Sequence, residues 1–134
     1  APTLHGLALT ILPNESWERG MGTSLRLGVT VLRDCDALLL LTCDQPLVSA
    51  DLLRRLIAVQ QETQKPMAAS AYAGTVGVPA LFTRACFEQL LALGDEAGAK
   101  ALLLAQPGEV VAVPFAAGAI DIDTPDHLQS LRAV

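Results

Sequence analysis

A chain of 134 residues, 51% hydrophobic and 17% charged, is long enough for one domain with a real core and too apolar to stay disordered. Its net charge of -5 argues against nonspecific nucleic-acid binding, which needs a basic face. Its apolar runs are too short to span a bilayer, and no secretory signal is visible at Ala1 to His5, so no membrane partner is expected.

In chain order, Gly6 to Leu12 reads as a strand, followed by a polar loop over Pro13 to Thr23. A helix is expected to start near Ser24, capped by Thr23 or Ser24, with Leu25, Gly28, Val29 and Leu32 inward. Trp17 is expected to pack in the preceding loop. Ala37 to Thr42 is a wholly apolar run without alternation, the pattern of a strand buried on both faces of a parallel sheet. Ser49 caps a helix with a buried stripe of Leu52, Leu53, Leu56 and Ile57; Arg54, Arg55, Gln61 and Glu62 take the wet side.

Pro66 ends that stretch, and Met67 to Tyr72 reads as the next strand. Gly74 to Phe82 reads as a turn, shaped by Gly77 and Pro79, running into another strand. A helix with Phe87, Leu90 and Leu91 inward follows, then one over Ala97 to Ala105, a strand at Val110 to Val113 and an extended run at Ala119 to Ile122. Thr124-Pro125-Asp126 starts a final helix anchored by Leu128 and Leu131. Alternating strands and helices predict a layered α/β domain with a mostly parallel sheet, occupying residues 1–134 as a single unit.

Asp44 ends the apolar run just before Pro46, at the strand end where open α/β sheets bind ligands. A carboxylate there suits a divalent cation serving a phosphate; it is equally an ordinary turn residue. Asp121 and Asp123, two apart in an extended run, face one side and repel unless a cation lies between them; a solvated pair ahead of a capped helix is the other reading. Gly20-Met-Gly-Thr-Ser-Leu-Arg26 places glycines ahead of a helix start, where backbone can approach a ligand, though an ordinary glycine loop looks the same. Lys100, after Gly94-Asp-Glu-Ala-Gly-Ala, has the reach for a phosphate. His5 and His127 are isolated. Cys35, Cys43 and Cys86 lack metal-ligand spacing and read as small apolar residues of a reducing, cytoplasmic compartment; the carboxylate beside Cys43 disfavours its thiolate.

Taken together and in order, the Gly20 to Arg26 loop, Leu-Leu-Thr-Cys-Asp44-Gln-Pro-Leu, Tyr72 to Pro79, Gly94 to Lys100 and Asp121 to Asp126 resemble the MobA-like nucleotidyltransferases. The nearest branch is the molybdenum cofactor cytidylyltransferases. The resemblance runs from about Ile11 to the C-terminus. It implies a three-layer αβα, Rossmann-like nucleotide-binding domain. It implies transfer of CMP or GMP from CTP or GTP to the terminal phosphate of molybdopterin bearing molybdenum (the molybdenum cofactor), with Mg²⁺ as the metal. By position, Asp44 would bind the metal and the triphosphate, and Asp121 and Asp123 would complete the metal site. Gly22 and Ser24 would contact the base. Gly77, Val78 and Pro79 would line the acceptor side. Related members act on sugar or alcohol phosphates, and a cofactor-delivery module that docks on a molybdoenzyme is a third reading.

The family's opening strand and Leu-Ala-Ala-Gly-type loop, with its Ser-x-Arg-Met-Gly and lysine, are expected to be missing, since nothing like them precedes Ala1. The domain is therefore expected to be N-terminally truncated and the 134 residues alone catalytically silent, with only weak metal binding left at Asp44. A sheet edge exposed in this way is expected to pair with a second copy or another segment.

Overall fold

The computed structural model describes residues 6–119. Four strands, β1 (Ala37–Leu40), β2 (Met67–Tyr72), β3 (Thr75–Thr83) and β4 (Val110–Pro114), form one sheet in the order β1-β3-β2-β4. Helices α1 (Met21–Val31), α3 (Phe87–Leu91) and α4 (Lys100–Ala105) pack on one face, and α2 (Ala50–Thr63) covers the other. The predicted three-layer α/β class is therefore present.

Alternation inside the strands divides the core between the two faces. Met67, Ala69, Ala80 and Phe82 join Leu25, Val29, Phe87, Leu90 and Leu103, while Ala68, Leu81 and Val113 join Leu52 and Leu56. Strand β2 is buried on both sides, which is why Met67-Ala-Ala-Ser70 carries no polar alternation. The sheet runs mostly in one direction: β1, β2 and β4 are co-directional, and β3 alone is reversed, antiparallel to both β1 and β2. The reversal follows from the two-residue link Ala73-Gly74, where both residues sit at positive φ (53° and 75°), as a tight hairpin requires. Gly77 and Pro79, read from sequence as turn formers, lie inside β3 instead.

Helix α2 matches its expectation: Ser49 Oγ accepts the Leu52 N–H at 3.2 Å, and Gln64 closes the helix in the left-handed region. Ile57 is an exception, exposed rather than buried. Helix α1 starts three residues early, at Met21, with Gly20 as N-cap and no side-chain cap. One N–H of its first turn is met from elsewhere: Gly22 N donates to the Asp95 carbonyl at 2.6 Å. Leu32, expected inward, ends the helix exposed, and Trp17 is exposed in the 3₁₀ turn Trp17–Arg19.

Two further expectations change. Gly6 to Leu12 forms no strand, and Leu7, Leu9 and Ile11 are exposed. An extended segment becomes a strand only with a ladder partner, and the described residues offer it none. Strand β1 is not buried on both faces: it is the edge of the described sheet, Leu38 alone is buried, and Leu41 just beyond it is 42% exposed. Cys86 is buried, and burial pushes its thiol pKa up, whereas Cys35 and Cys43 are exposed. No helix among the described residues is long and apolar enough to cross a membrane.

Candidate functional site

Four segments that are distant in sequence meet at the C-terminal end of β1 around a cavity of about 360 Å³. Met21, Ser24 and Leu25 come from the first turns of α1, and Leu40, Leu41 and Thr42 from the strand end. Tyr72, Gly77 and Val78 come from the β2–β3 hairpin, and Gly98, Ala99 and Lys100 from the start of α4. The walls are largely apolar, with Ser24, Thr42 and Lys100 supplying polar groups, a composition typical of small-molecule sites. Wider and more open depressions lie beside Asn14 and Arg19 and beside Thr75 and Leu104, away from the β1 end.

Asp44 stands at the rim, not in the wall. Its Oδ1 accepts the Thr42 hydroxyl at 2.6 Å, so a cavity-lining residue holds the carboxylate. Hydroxyl and carboxylate oxygens are the hard donors that Mg²⁺ or Mn²⁺ prefers. One carboxylate is not a closed site, and the described residues contain no cluster of three metal-ligating side chains. Asp121 and Asp123, the other expected ligands, lie outside the described residues, as does the expected final helix.

Ser24 lines the cavity, and its hydroxyl accepts the Asn14 amide at 2.7 Å. Gly22 does not line it. A Cβ on Gly22 would overlap the Gly94 carbonyl oxygen and come within 2.8 Å of the Asp95 oxygen. That glycine serves close packing of α1 on the Gly94–Ala97 backbone. Gly77 and Val78 form wall, while Pro79 is fully buried beneath them, its carbonyl accepting the Ser70 hydroxyl at 2.7 Å. The register explains the protrusion: Ala69 pairs with Ala80 but Ser70 with Gly77, so Val78 and Pro79 bulge out of β3. Gly77 lacks a Cβ where one would meet the Tyr72 hydroxyl at 2.6 Å.

Gln45 and Tyr72 were missed as site residues. Gln45 is only 8% exposed, and its amide donates to the Val78 and Gly118 carbonyls at 3.1 Å and to the Tyr72 hydroxyl at 3.3 Å. A polar side chain wedged between Asp44 and Pro46 was the available signal. The Tyr72 ring stands edge-on to Phe115, with centroids 6.4 Å apart.

The Gly94–Lys100 segment is fastened by charge. Asp95 pairs with Arg26 and, at 2.7 Å, with Arg19, and Arg26 also donates to the Leu93 carbonyl at 2.6 Å. The Arg26 and Arg19 guanidiniums hold the Asp95 carboxyl below its ordinary pKa of 3.8. A depressed carboxylate pKa contributes stability that is fully present above the ordinary value and is lost as pH falls through the folded one. Asp95→Asn is therefore expected to be less stable than the wild type in urea at pH 7, with the gap narrowing once the pH is taken below 3.8. An equal gap on both sides of that pH would refute the ion-pair account.

A family model described as the MobA-like NTP transferase domain matches residues 1–110. The chain belongs to the MobA-like NTP transferase family. It is 31% identical over 120 residues to the purine catabolism protein PucB of Bacillus subtilis, a match covering 86% of this chain and 57% of that protein. Among solved structures it is similar to Rv0371c of Mycobacterium tuberculosis in complex with manganese, with TM-score 0.66 and 28% identity over 83% of this chain and 60% of that one. The Rv0371c homologue of Mycobacterium sp. strain JC1 gives TM-score 0.64 and 27% identity, covering 82% and 56%. The chain thus spans somewhat under two-thirds of the length of these relatives.

Proposed function

We propose that this chain is part of a divalent-metal-dependent nucleotidyltransferase that moves CMP, or GMP, from CTP or GTP to the terminal phosphate of molybdopterin or the molybdenum cofactor. The observation that carries the reading is the convergence of the Gly20, Asp44, Gly77 and Lys100 segments on one cavity at the end of β1. Family membership and the manganese complex of Rv0371c support it.

In this reading an oxygen of the acceptor phosphate attacks the α-phosphorus of the nucleotide in line. The bond from that phosphorus to the bridging oxygen breaks, and pyrophosphate leaves. The attacking phosphate is already anionic, so no side chain has to act as general base. Asp44, with Asp121 and Asp123, would hold the cation, and Asp44 would also orient the triphosphate. The bound cation supplies charge neutralisation on the phosphates. Lys100 reaches phosphate from the α4 side, Ser24 acts on the base side with Gly22 behind it as a packing residue, and Gly77 and Val78, backed by the buried Pro79, shape the acceptor side. Catalysis then rests on positioning.

A second reading is a degenerate relative that serves as a cofactor-delivery module and docks on a molybdoenzyme. Pyrophosphate release by the full-length protein separates the two. With Mg²⁺ and CTP or GTP, release is expected with molybdopterin and not with sugar or alcohol phosphates. Release only with a sugar or alcohol phosphate would reassign the acceptor. No release with any acceptor, alongside nucleotide-independent capture of a molybdoenzyme, would overturn the transferase reading.

A further inference from the structure

Val78 and Pro79 leave the ladder where β3 bulges, and a bulge gives up the backbone partners that its carbonyls would otherwise have. Side chains replace them. The Ser70 hydroxyl donates to Pro79 O at 2.7 Å, the Tyr72 hydroxyl to Val78 O at 3.0 Å, and the Gln45 amide to Val78 O at 3.1 Å. Ser70 and Tyr72 belong to β2, the strand alongside. Gln45 comes from the turn after β1, 33 positions away in the chain.

The Gln45 amide is fixed in direction. Its nitrogen also lies 3.1 Å from Gly118 O, and two carbonyls at one terminus require that end to be the NH₂. Val78 O accepts from both Gln45 and Tyr72, which occupies both of its lone pairs. Gln45 is 8% exposed and does not line the cavity, so its donors are committed to the protein. What it holds does line the cavity. Tyr72, Gly77 and Val78 form the hairpin wall, and Leu40, Leu41 and Thr42 at the end of β1 form another. One buried amide therefore ties the first wall to the chain that leaves the second.

We infer that Gln45 is a specificity-determining positioning residue for the acceptor substrate: it ties the Val78 bulge to the end of β1 and so sets the wall against which the acceptor lies. The inference rests on the acceptor role proposed above for Gly77 and Val78. Loss of the Gln45 amide lets that wall move, and the effect falls on acceptor binding rather than on the nucleotide or the chemical step.

The test is steady-state pyrophosphate release by the full-length protein with Mg²⁺, titrating molybdopterin at saturating nucleotide and nucleotide at saturating molybdopterin. Gln45→Met keeps the length and apolar bulk of the side chain but removes the donor. KM for molybdopterin is expected to rise about tenfold, the effect of one lost buried hydrogen bond. The turnover number and KM for the nucleotide are expected to stay within about twofold of the wild type. An effect passed through the neighbouring Asp44 would fall on those two quantities instead. Tyr72→Phe keeps the ring and removes the hydroxyl, and is expected to raise KM for molybdopterin about threefold; it carries the test if Gln45→Met fails to fold. Because both bonds end on Val78 O, the double variant is expected to fall short of the roughly thirtyfold product of the two single effects. Thr83→Val removes a 2.8 Å bond to Pro66 O elsewhere in β3 and is expected to match the wild type. Wild-type KM for molybdopterin in Gln45→Met, a change confined to the turnover number or to the nucleotide, or an equal rise in Thr83→Val would overturn the positioning role. If the wild type turns over and Gln45→Met matches it, only the inference about Gln45 fails. If the wild type releases no pyrophosphate with molybdopterin, the proposed reaction fails and the inference falls with it.

Discussion

Asp44→Asn is expected to lower the nucleotidyl-transfer rate of the full-length protein by about 100- to 1,000-fold while leaving the fold intact. The size follows from the several kcal/mol that a bound cation contributes to charge stabilisation, at about 1.4 kcal/mol per tenfold in rate. The intact fold follows from the surroundings. Asp44 is half-exposed, and its bond is the 2.6 Å contact from the Thr42 hydroxyl, which the amide oxygen of asparagine also accepts. The expected change in stability is therefore within about 1 kcal/mol. Turnover and thermal unfolding measured on the same preparation check this. A wild-type rate would remove Asp44 from the chemistry. A large drop in melting temperature would make it a structural turn residue.

Gly22→Ala is expected to do the reverse, damaging the fold before any chemistry is reached. The added methyl overlaps the Gly94 carbonyl and presses on the carbonyls of Asp95 and, at 3.0 Å, Ala97. These are backbone atoms, fixed in turn by the Gly22 N–H bond to Asp95 O and by the Asp95 pairs with Arg19 and Arg26, so no flexible side chain can yield. Overpacking against rigid neighbours costs about 3 kcal/mol, which for a domain of this size lowers the melting temperature by roughly 10 °C. Calorimetry checks it. A shift of a degree or two would mean that α1 and the Gly94–Ala97 segment can slide apart, and would return Gly22 to the role of a ligand-facing glycine.

The contrast between these residues shows which information was local. Helix α2 was legible because its signals lie within it: the Ser49 cap, the Leu52 and Leu56 stripe, and the exposed Arg54 and Arg55. Strand β2 was legible because burial on both faces leaves a run with no polar alternation. The start of α1 was misplaced because the Gly22 N–H in its first turn is satisfied by Asp95, more than 70 positions away, and no local pattern announces a partner that distant. The reversal of β3 is written in Ala73-Gly74, yet Ala73 is an unusual residue for a positive φ, which hides the hairpin.

At the site, Asp44, Ser24, Gly77 and Val78 were legible as separate motifs, and the structure brings their segments to one cavity. What remained hidden is the support beneath them. Gln45 acts through carbonyls of β3 and of the turn at Ala116–Ala119, and backbone carbonyls have no residue type to read. Tyr72 acts mainly by filling space that Gly77 and Gly118 vacate.

The most direct test of a metal-nucleotide site at the end of β1 is calorimetric titration of CTP and GTP into the full-length protein, with and without Mn²⁺, for the wild type and Asp44→Asn. The account predicts nucleotide binding that requires Mn²⁺ in the wild type and is lost in the variant. Binding of equal strength in both proteins, or binding indifferent to Mn²⁺, would contradict it.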